Sequence, residues 1–385
     1  TNATIEILNP VLTIQTNSDL AGNYMTGIAN SSSYDVIFSA PGYVSDTINA
    51  SFTNGNTTIV NAQLQPLQSI NVTGMVVDVN GVGIGGSDVL IYNSSNSYNI
   101  VTDINGNYSI NGFYEGNYNV IAGSWGYITS CSNEYISSNS SNQIVLQSGY
   151  YDDFTFDFGW SISGGVTSTN EGIWQRGNPE GTDYYGQDYN PENDVNNDCY
   201  DNAYVTGIPS GNFTGQNDVD DFNTILTSPN FDLSANLNND DKYFLNYDIW
   251  FSNGGGSSNP NDSISVKITN GVFTTTLDII TGNSSNMGQW VSKSYDLSQY
   301  ISLNNTMKII VETADWDALG GHLVEGGFDK FEITTQSSTT IQDTQNTKKI
   351  VEIVDLFGRK INFSNESVIF YIYDDGSVEK KIIFK

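Results

Sequence analysis

The chain has 385 residues, 38% of them hydrophobic and 15% charged, and its formal net charge at pH 7 is −30. This acidic excess disfavours nucleic acids and anionic membranes as partners, because both attract basic proteins. No run of about 18 apolar residues occurs, so we expect no membrane-spanning segment. Tyr, Phe, Asn, Ser, Thr and Gly are abundant at the expense of strong helix formers, which is typical of a β-rich extracellular protein.

The N-terminal part of the chain contains an internal repeat with an offset of 84 residues. Ala3–Ile7 matches Ser87–Ile91, and Tyr34–Ile37 matches Tyr118–Ile121. In each copy, apolar and polar residues alternate in short runs that Gly and Asn separate. This pattern predicts strands and tight turns, so we expect each copy to be a small β-sandwich.

The second copy contains the segment Thr102–Tyr108, TDINGNY, and resembles carboxypeptidase-regulatory-like domains, which are transthyretin-like β-sandwiches. The resemblance covers residues 69–148 fully and 1–67 in part, since the first copy lacks a counterpart of the strand predicted at 70–77. We therefore expect domain 1–67 to be incomplete and the polypeptide to continue upstream of Thr1. The resemblance implies a spacer or folding partner beside an enzyme.

Residues 149–336 form the third predicted domain. Many short predicted strands with Gly, Asn and Asp turns indicate a two-sheet jelly roll. The motifs WQRGNPEG (174–181), LTSPNFDLS (226–234) and FDKFEI (328–333) resemble MAM and cleaved-adhesin jelly-roll modules. The Ser-, Thr- and Gln-rich residues 337–347 are predicted to be a flexible linker.

Calcium is the cofactor that this third domain favours. Asp and Asn are dense at 188–201 and 217–221, and Ca²⁺ takes about six to eight oxygen ligands. The resemblance implies one Ca²⁺ where the N-terminal segment meets the last strand, which would place Asp153 or Asp157 near Asp329. The alternative is that these residues only form turns. The candidate calcium ligands are Asp153, Asp157, Asp218, Asp220 and Asp329.

Catalysis and zinc binding find little support in the sequence. Two cysteines and His322 are too few for a structural zinc site of four ligands, and no H-E-x-x-H or G-x-S-x-G motif occurs. We interpret His322 as a loop residue and predict no catalytic residue in this chain. Cys131 and Cys199 fall in different predicted domains, and their spacing leaves open whether they form a disulfide.

The tryptophans of the third domain allow two interpretations. They could stack on sugar rings, as in carbohydrate-binding jelly rolls, or fill the core of the sandwich. The residues concerned are Trp160, Trp174, Trp250, Trp290 and Trp316.

The C-terminal residues 348–385 are predicted to form a small antiparallel β-unit. Strands are predicted at 350–356, 368–373 and 378–384, and an Asp-Gly pair between the last two is a strong hairpin signal. The segment LFGRK followed by IYDDGSVEKKI resembles the C-terminal sorting domain of proteins exported by the type IX secretion system of Bacteroidota. That resemblance implies a small β-sandwich. The residues that match the motif are Gly358, Arg359, Asp374, Asp375, Gly376, Lys380 and Lys381.

The sorting-domain resemblance also implies a location and partners. We expect a protein that is secreted or held on the outer face of the outer membrane of a Gram-negative bacterium. Its partners would be the type IX translocon and outer-membrane carrier proteins, and removal or retention of the tail stays open. Asp46–Ile48 and Asp262–Ile264 match the D-[ST]-aliphatic pattern that resembles the O-glycosylation signal of such proteins, with Thr47 and Ser263 as acceptors.

Two functional hypotheses follow. In the first, the chain is the non-catalytic C-terminal region of an exported protein, in which the β-domains are spacers or binding modules. They would be accessory to an upstream zinc metallopeptidase, such as a metallocarboxypeptidase. In the second, the chain is a surface adhesin or carbohydrate-binding protein, and the jelly roll binds a glycan or protein ligand. The fold class common to both is all-β, with tandem small sandwiches, a jelly roll and the small C-terminal β-sandwich.

Overall fold

The computed structural model describes most of the chain, and the described part folds into β-strands. The described ranges are 2–9, 12–138, 140, 142–164, 172–184, 187–208, 215–220, 222–235, 242–255, 261–282, 288–315, 321–336, 350–355, 357–361, 368–374 and 376–382. The predicted all-β class is confirmed, since the described residues contain no α-helix and one 3₁₀ turn, Leu297–Gln299. No described helix is long and apolar enough to cross a membrane.

The chain divides into two compact units. The first comprises Thr1–Asn236 and Lys242–Thr335, and the second comprises Leu237–Asp241 and Gln336–Lys385.

The N-terminal segment of the first unit forms one four-stranded antiparallel sheet, in the order β2-β1-β3-β5, and a short β4-β6 pair. Its inward side chains include Ile5, Ile7, Val36 and Phe38, which alternate with more exposed residues because neighbouring side chains on a strand point to opposite faces. The strands are β1 (Thr4–Leu8), β2 (Ile14–Asn17), β3 (Ser32–Ser39), β4 (Tyr43–Val44), β5 (Asp46–Phe52) and β6 (Gln65–Pro66).

The next segment is a complete two-sheet sandwich. One sheet has the order β10-β7-β13 and the other β12-β11-β8-β9. Between them lies a core of buried residues that includes Val76, Ile91, Phe113 and Leu146. The strands are β7 (Ser69–Asp78), β8 (Asp88–Tyr92), β9 (Ser97–Val101), β10 (Asn107–Tyr114), β11 (Gly116–Gly123), β12 (Ser130–Ile136) and β13 (Asn142–Leu146).

The sequence repeat recurs in the strands. Strands β1, β3 and β5 each lie 84 residues before β8, β11 and β12, with the same bounds and the same order in the sheet. The residues that correspond to β10 and β13 form no strand in the first copy, and they border a groove lined by residues 22–29 and 52–61. In the second copy, β7 pairs with both β10 and β13. The described chain contains no counterpart of β7 in the first copy.

The third segment is built from two larger sheets. One has the order β16-β19-β26-β21-β24 with β14 paired to β26, the other the order β15-β20-β25-β22-β23, and β17 pairs with β18. The strands are β14 (Tyr150–Asp152), β15 (Ser161–Gly164), β16 (Trp174–Gly177), β17 (Thr182–Tyr184), β18 (Gln187–Asn190), β19 (Ala203–Thr206), β20 (Phe222–Thr227), β21 (Lys242–Gly254), β22 (Ser263–Thr269), β23 (Thr274–Thr281), β24 (Val291–Asp296), β25 (Lys308–Asp315) and β26 (Leu323–Gln336).

Close packing between β21 and β26 is possible only because residue 327 has no side chain. A Cβ at Gly327 would lie 1.9 Å from Nε1 of the buried Trp250. We therefore expect Gly327→Ala to lower the free energy of unfolding by about 1–3 kcal/mol, as overpacked cores do, measured by urea denaturation. Gly27→Ala is the control, since its Cβ would meet no atom within 4 Å; equal losses in both variants would contradict the packing argument.

Cys131 and Cys199 form a disulfide, with a Cα–Cα distance of 5.7 Å. Their spacing in the sequence left this pairing open. The disulfide joins strand β12 of the second sandwich to the loop that follows β18. Trp125 adds to this contact, because its Nε1 donates to the carbonyl oxygen of Asn230 at 2.7 Å and its ring stacks on Phe331.

In the second unit the described residues form one antiparallel sheet in the order β27-β28-β29. The strands are β27 (Ile350–Val354), β28 (Val368–Tyr373) and β29 (Val378–Ile382).

A five-residue aspartate turn recurs in both units. In the tail, Asp355 Oδ1 accepts from the backbone N–H of Phe357 and of Arg359, both at 2.9 Å, and Gly358 has a positive φ of 75°. Asp19, Asp78 and Asp103 accept in the same two-and-four pattern, each with a positive-φ glycine three residues later. The D-x-x-G spacing common to the TDINGNY and DLFGR motifs therefore encodes a turn.

Candidate functional site

Three carboxylates converge at one place in the jelly roll, which we call the Asp329 site. It consists of Asp194, Asp198 and Asp329, and one oxygen of each lies within 4.8 Å of the others. Asp329 is fully buried on β26, while Asp194 and Asp198 belong to the loop between β18 and β19; Asp194 is 7% exposed.

The strand pairing explains why Asp329 and the start of the domain meet. Strand β14 runs antiparallel to β26, with Asp152 opposite Phe331. Asp153 follows β14 directly, and its Oδ2 accepts from the backbone N–H of Cys199 at 3.1 Å. Asp153 thus lies beside the loop that carries Asp194 and Asp198. Its charge also acts on both of these carboxylates.

Hydrogen bonds satisfy only part of this cluster. Asp329 accepts from the backbone N–H of Lys330 at 2.7 Å and of Val195 at 3.3 Å. The Oδ2 atoms of Asp194 and Asp198 are buried and have no hydrogen-bond partner among the described residues. A buried carboxylate oxygen without a partner is costly, so these oxygens favour a bound cation.

The pKa values of the three carboxyl groups also favour a bound cation. Burial and the charge of Asp201 raise the pKa of Asp194 to about 6, and burial and the charge of Asp194 raise the pKa of Asp198 to about 7. Burial and the charge of Asp198 raise the pKa of Asp329 well above its usual value. Like charges in low-dielectric surroundings disfavour ionisation, and a divalent cation would reverse this effect.

Unusual backbone conformations flank the site. Among the described residues, three other than glycine have a positive φ: Phe154, Asn197 and Lys330. Asn197 and Lys330 are the sequence neighbours of Asp198 and Asp329, and Phe154 follows Asp153, which lies beside the site. Such conformations cost about 1–3 kcal/mol and concentrate at functional positions.

The donor set fits Ca²⁺. All three side chains offer oxygen, with no nitrogen or sulfur ligand. Ca²⁺–oxygen distances of about 2.3–2.6 Å allow ligand oxygens on opposite sides of the ion to lie about 5 Å apart, which agrees with the separations found. Loop carbonyl groups and water would complete the shell of about six to eight ligands.

The other predicted calcium ligands lie elsewhere. Asp157 is exposed, its Oδ1 accepts from the N–H of Gly159 at 3.0 Å, and its charge acts on Asp88. Asp218 is buried, and burial followed by the charge of Asp220 raises the pKa of Asp218 to about 7. Asp218 and Asp220 therefore form an acidic group apart from the Asp329 site, and the charge of Asp315 also raises the pKa of Asp218.

Asp194 and Asp198 are not among the calcium ligands that the sequence predicts. They lie in the Asp- and Asn-rich run 188–201, whose composition indicates a calcium site. Composition alone does not distinguish the individual ligand residues of this run from turn-forming residues.

The tail motif divides into turn-forming and exposed residues. Gly358 and Gly376 have positive φ values of 75° and 80°. Arg359 and Lys360 are 69% and 82% exposed at the side chain. Of the remaining motif residues, Asp374, Lys380 and Lys381 are exposed, and Asp375 lies outside the described residues.

The two glycosylation candidates differ in accessibility. Thr47 lies on β5 and is exposed, whereas Ser263 is half-buried at the start of β22 and follows the buried Asp262.

Stacking of sugars on tryptophan gains no support from the described residues. Trp160, Trp174 and Trp250 are buried, and Trp290 is half-buried with its Nε1 donating to the carbonyl oxygen of Asn193. Trp316 lies outside the described residues. Within the described part, the core-filling interpretation is therefore the one that fits.

The chain matches no protein-family model and no curated protein. Among solved structures it shows a weak likeness to the carbohydrate-binding module TmCBM61 in complex with β-1,4-galactotriose, at 13% identity and a TM-score of 0.28, covering 48% of this chain and 91% of that one. SGBP-B from a complex xyloglucan utilization locus in Bacteroides uniformis has 11% identity and a TM-score of 0.25, covering 86% and 85%. A DUF3823 family protein from Bacteroides ovatus has 10% identity and a TM-score of 0.19, covering 69% and 98%. Likenesses at these TM-scores carry no argument about function.

Proposed function

We propose that this chain is a non-catalytic region of an exported cell-surface protein, in which Ca²⁺ bound at the Asp329 site stabilises the jelly roll. The observation that carries the proposal is the group of three converging carboxylates in which two buried oxygens have no hydrogen-bond partner among the described residues. Calcium titration of the chain and of a variant of Asp329 tests it.

Export is the second part of this proposal. Seven of the 13 basic residues of the chain lie in residues 348–385, and those at 359, 360, 380 and 381 are exposed. Exposed charges steer recognition while contributing little to stability, so these side chains suit contact with an export machinery. On the resemblance of the tail motif, we propose the type IX translocon and outer-membrane carrier proteins as the partners.

We expect the double variant Lys360→Ala/Lys380→Ala to be exported poorly, because it removes two exposed charges without changing a turn residue. The measurement is the extracellular fraction of the chain, produced with a signal peptide in a Bacteroidota strain that has the type IX system. The expected level is that of a chain ending at residue 347.

The matched control is Lys267→Ala/Lys308→Ala, which removes two lysines of the jelly roll, one of them paired with a partly exposed glutamate as Lys360 is, and should be exported like the unchanged chain. Equal export of the two double variants would show that the tail lysines are not recognised. An upstream metallopeptidase remains a proposal that rests on the resemblance of the repeats.

A further inference from the structure

A second group of metal-binding side chains lies in the jelly roll, which we call the His322 site. It consists of Asp262, Asp315 and His322, with one donor atom of each within 4.8 Å of the others. All three residues are buried, with 1–7% of their surface exposed. We propose that the His322 site binds a divalent transition-metal ion.

The topology brings these side chains together at one end of the two sheets. In the β22–β25 pair, Ile264 lies opposite Thr313, so the same register places Asp262 opposite Asp315 two residues further along. β21 and β26 are neighbours in the other sheet, and His322 directly precedes β26. Like charges that face each other across a strand pair repel, and burial strengthens the repulsion. A cation between them would remove it.

Asn253, near the end of β21, is the independent observation that points to a ligand. Its Nδ2 donates to Asp262 Oδ2 at 3.2 Å, and the same oxygen lies 3.1 Å from His322 Nδ1. Asn253 is 1% exposed, and its Oδ1 has no hydrogen-bond partner among the described residues. A buried unsatisfied amide oxygen costs free energy, and a metal ion or its bound water would satisfy it.

Gly321 closes the site from another side. A Cβ at this position would lie 2.1 Å from Asp315 Oδ2. The backbone next to His322 therefore approaches the Asp315 carboxylate more closely than any other residue type would allow.

The donor set distinguishes this site from the Asp329 site. One imidazole with two carboxylates favours ions such as Zn²⁺, Mn²⁺ or Co²⁺, whereas an oxygen-only set favours Ca²⁺. Metal–ligand distances of about 2.0–2.2 Å fit the 3.1 Å between His322 Nδ1 and Asp262 Oδ2 as neighbouring ligands. A count limited to Cys and His ligands argues against a zinc site in this chain, and it leaves out the two carboxylates beside His322.

The test uses the whole chain, stripped with a chelator and dialysed against Zn²⁺, Mn²⁺ or Co²⁺ in the presence of Ca²⁺. We expect one equivalent of transition metal by elemental analysis, and visible absorption bands of bound Co²⁺. Asp329→Asn should retain this metal, and His322→Leu and Asp315→Asn should lose it. Asn253→Leu, which keeps all three ligands, should bind about 10–100-fold more weakly, as loss of an outer-shell partner does.

Circular dichroism identifies any variant that fails to fold. If His322→Leu fails to fold, the metal content of Asn253→Leu and Asp315→Asn tests the proposal. Metal retained by His322→Leu or Asp315→Asn, unchanged affinity in Asn253→Leu, or no metal bound by the unchanged chain would overturn the proposal. Transition metal lost only in Asp329→Asn would place the ion at the Asp329 site and would overturn this inference.

Discussion

Calcium is expected to raise the thermal unfolding temperature of the chain and to leave that of Asp329→Asn unchanged. A ligand that binds only the folded state stabilises it by about 2.7 kcal/mol at a hundredfold excess over Kd. For a domain of this size, that corresponds to a shift of roughly 5–10 °C. Differential scanning calorimetry with Ca²⁺, with Mg²⁺ and with EDTA provides the measurement.

The matched control for this prediction is Asp157→Asn. Asp157 is an acidic residue of the same domain that the sequence also proposed as a ligand, but it is exposed and bonds locally to Gly159. Asparagine keeps an oxygen that can accept this bond, so the calcium shift should persist. A shift that survives in Asp329→Asn but disappears in Asp157→Asn would reverse our assignment of the site.

In EDTA, Asp329→Asn should be no less stable than the unchanged chain. The side chain of Asp329 is fully buried beside two other carboxylates, and without a cation an ionised group there is costly. A large loss of stability of Asp329→Asn in EDTA would mean that the carboxylate of Asp329 stabilises the fold mainly through its two backbone hydrogen bonds. Binding of a cation would then be its lesser role.

Local patterns in the sequence predicted the elements that depend on neighbouring residues. Alternation of apolar and polar residues predicted the all-β class, because a strand buries every second side chain. The repeat of 84 residues predicted equivalent strands, as in Ser32–Ser39 and Gly116–Gly123. Gly-containing turns such as that of Asp103 were readable because glycine supplies the positive φ.

Long-range convergence was much harder to predict. The resemblance to jelly-roll modules predicted Asp329 as a ligand on the last strand, but Asp194 lies 135 residues earlier, in a run where ligands and turn formers have the same composition. His322 and Asp262 are 60 residues apart, and they meet only because the sheet that contains β22 and β25 packs against the sheet that contains β21 and β26. A register shift of one residue would turn Asp262 to the opposite face, so its role required the strand pairing.

The disulfide illustrates the same limit. Cys131 and Cys199 lie in different predicted domains, and their separation of 68 residues does not reveal that β12 lies next to the loop after β18. Apposition of two domains depends on surface contacts such as Trp125 with Phe331, which have no periodic signature.

Loss of this disulfide is expected to weaken both folding and calcium binding. In the double variant Cys131→Ser/Cys199→Ser, the unfolded chain regains the entropy of a loop of 68 residues, and the free energy of unfolding should fall by about 2–4 kcal/mol. The backbone N–H of Cys199 donates to Asp153, and its loop carries Asp194 and Asp198. We therefore also expect the Kd for Ca²⁺ to rise about tenfold, since support of a ligand from the outer shell is worth this much.

Isothermal titration calorimetry measures the calcium affinity, and urea denaturation measures the stability. Reduction of the unchanged chain with dithiothreitol should reproduce the phenotype of the double variant, whereas the double variant should not respond to the reductant. A lower stability with an unchanged calcium affinity would show that other contacts hold the loop. The contacts that could do so are the bonds from Trp290 to Asn193 and from Lys330 to Asn196. A fall in both quantities would instead establish that the second sandwich, through β12, helps to position the ligands of the jelly roll.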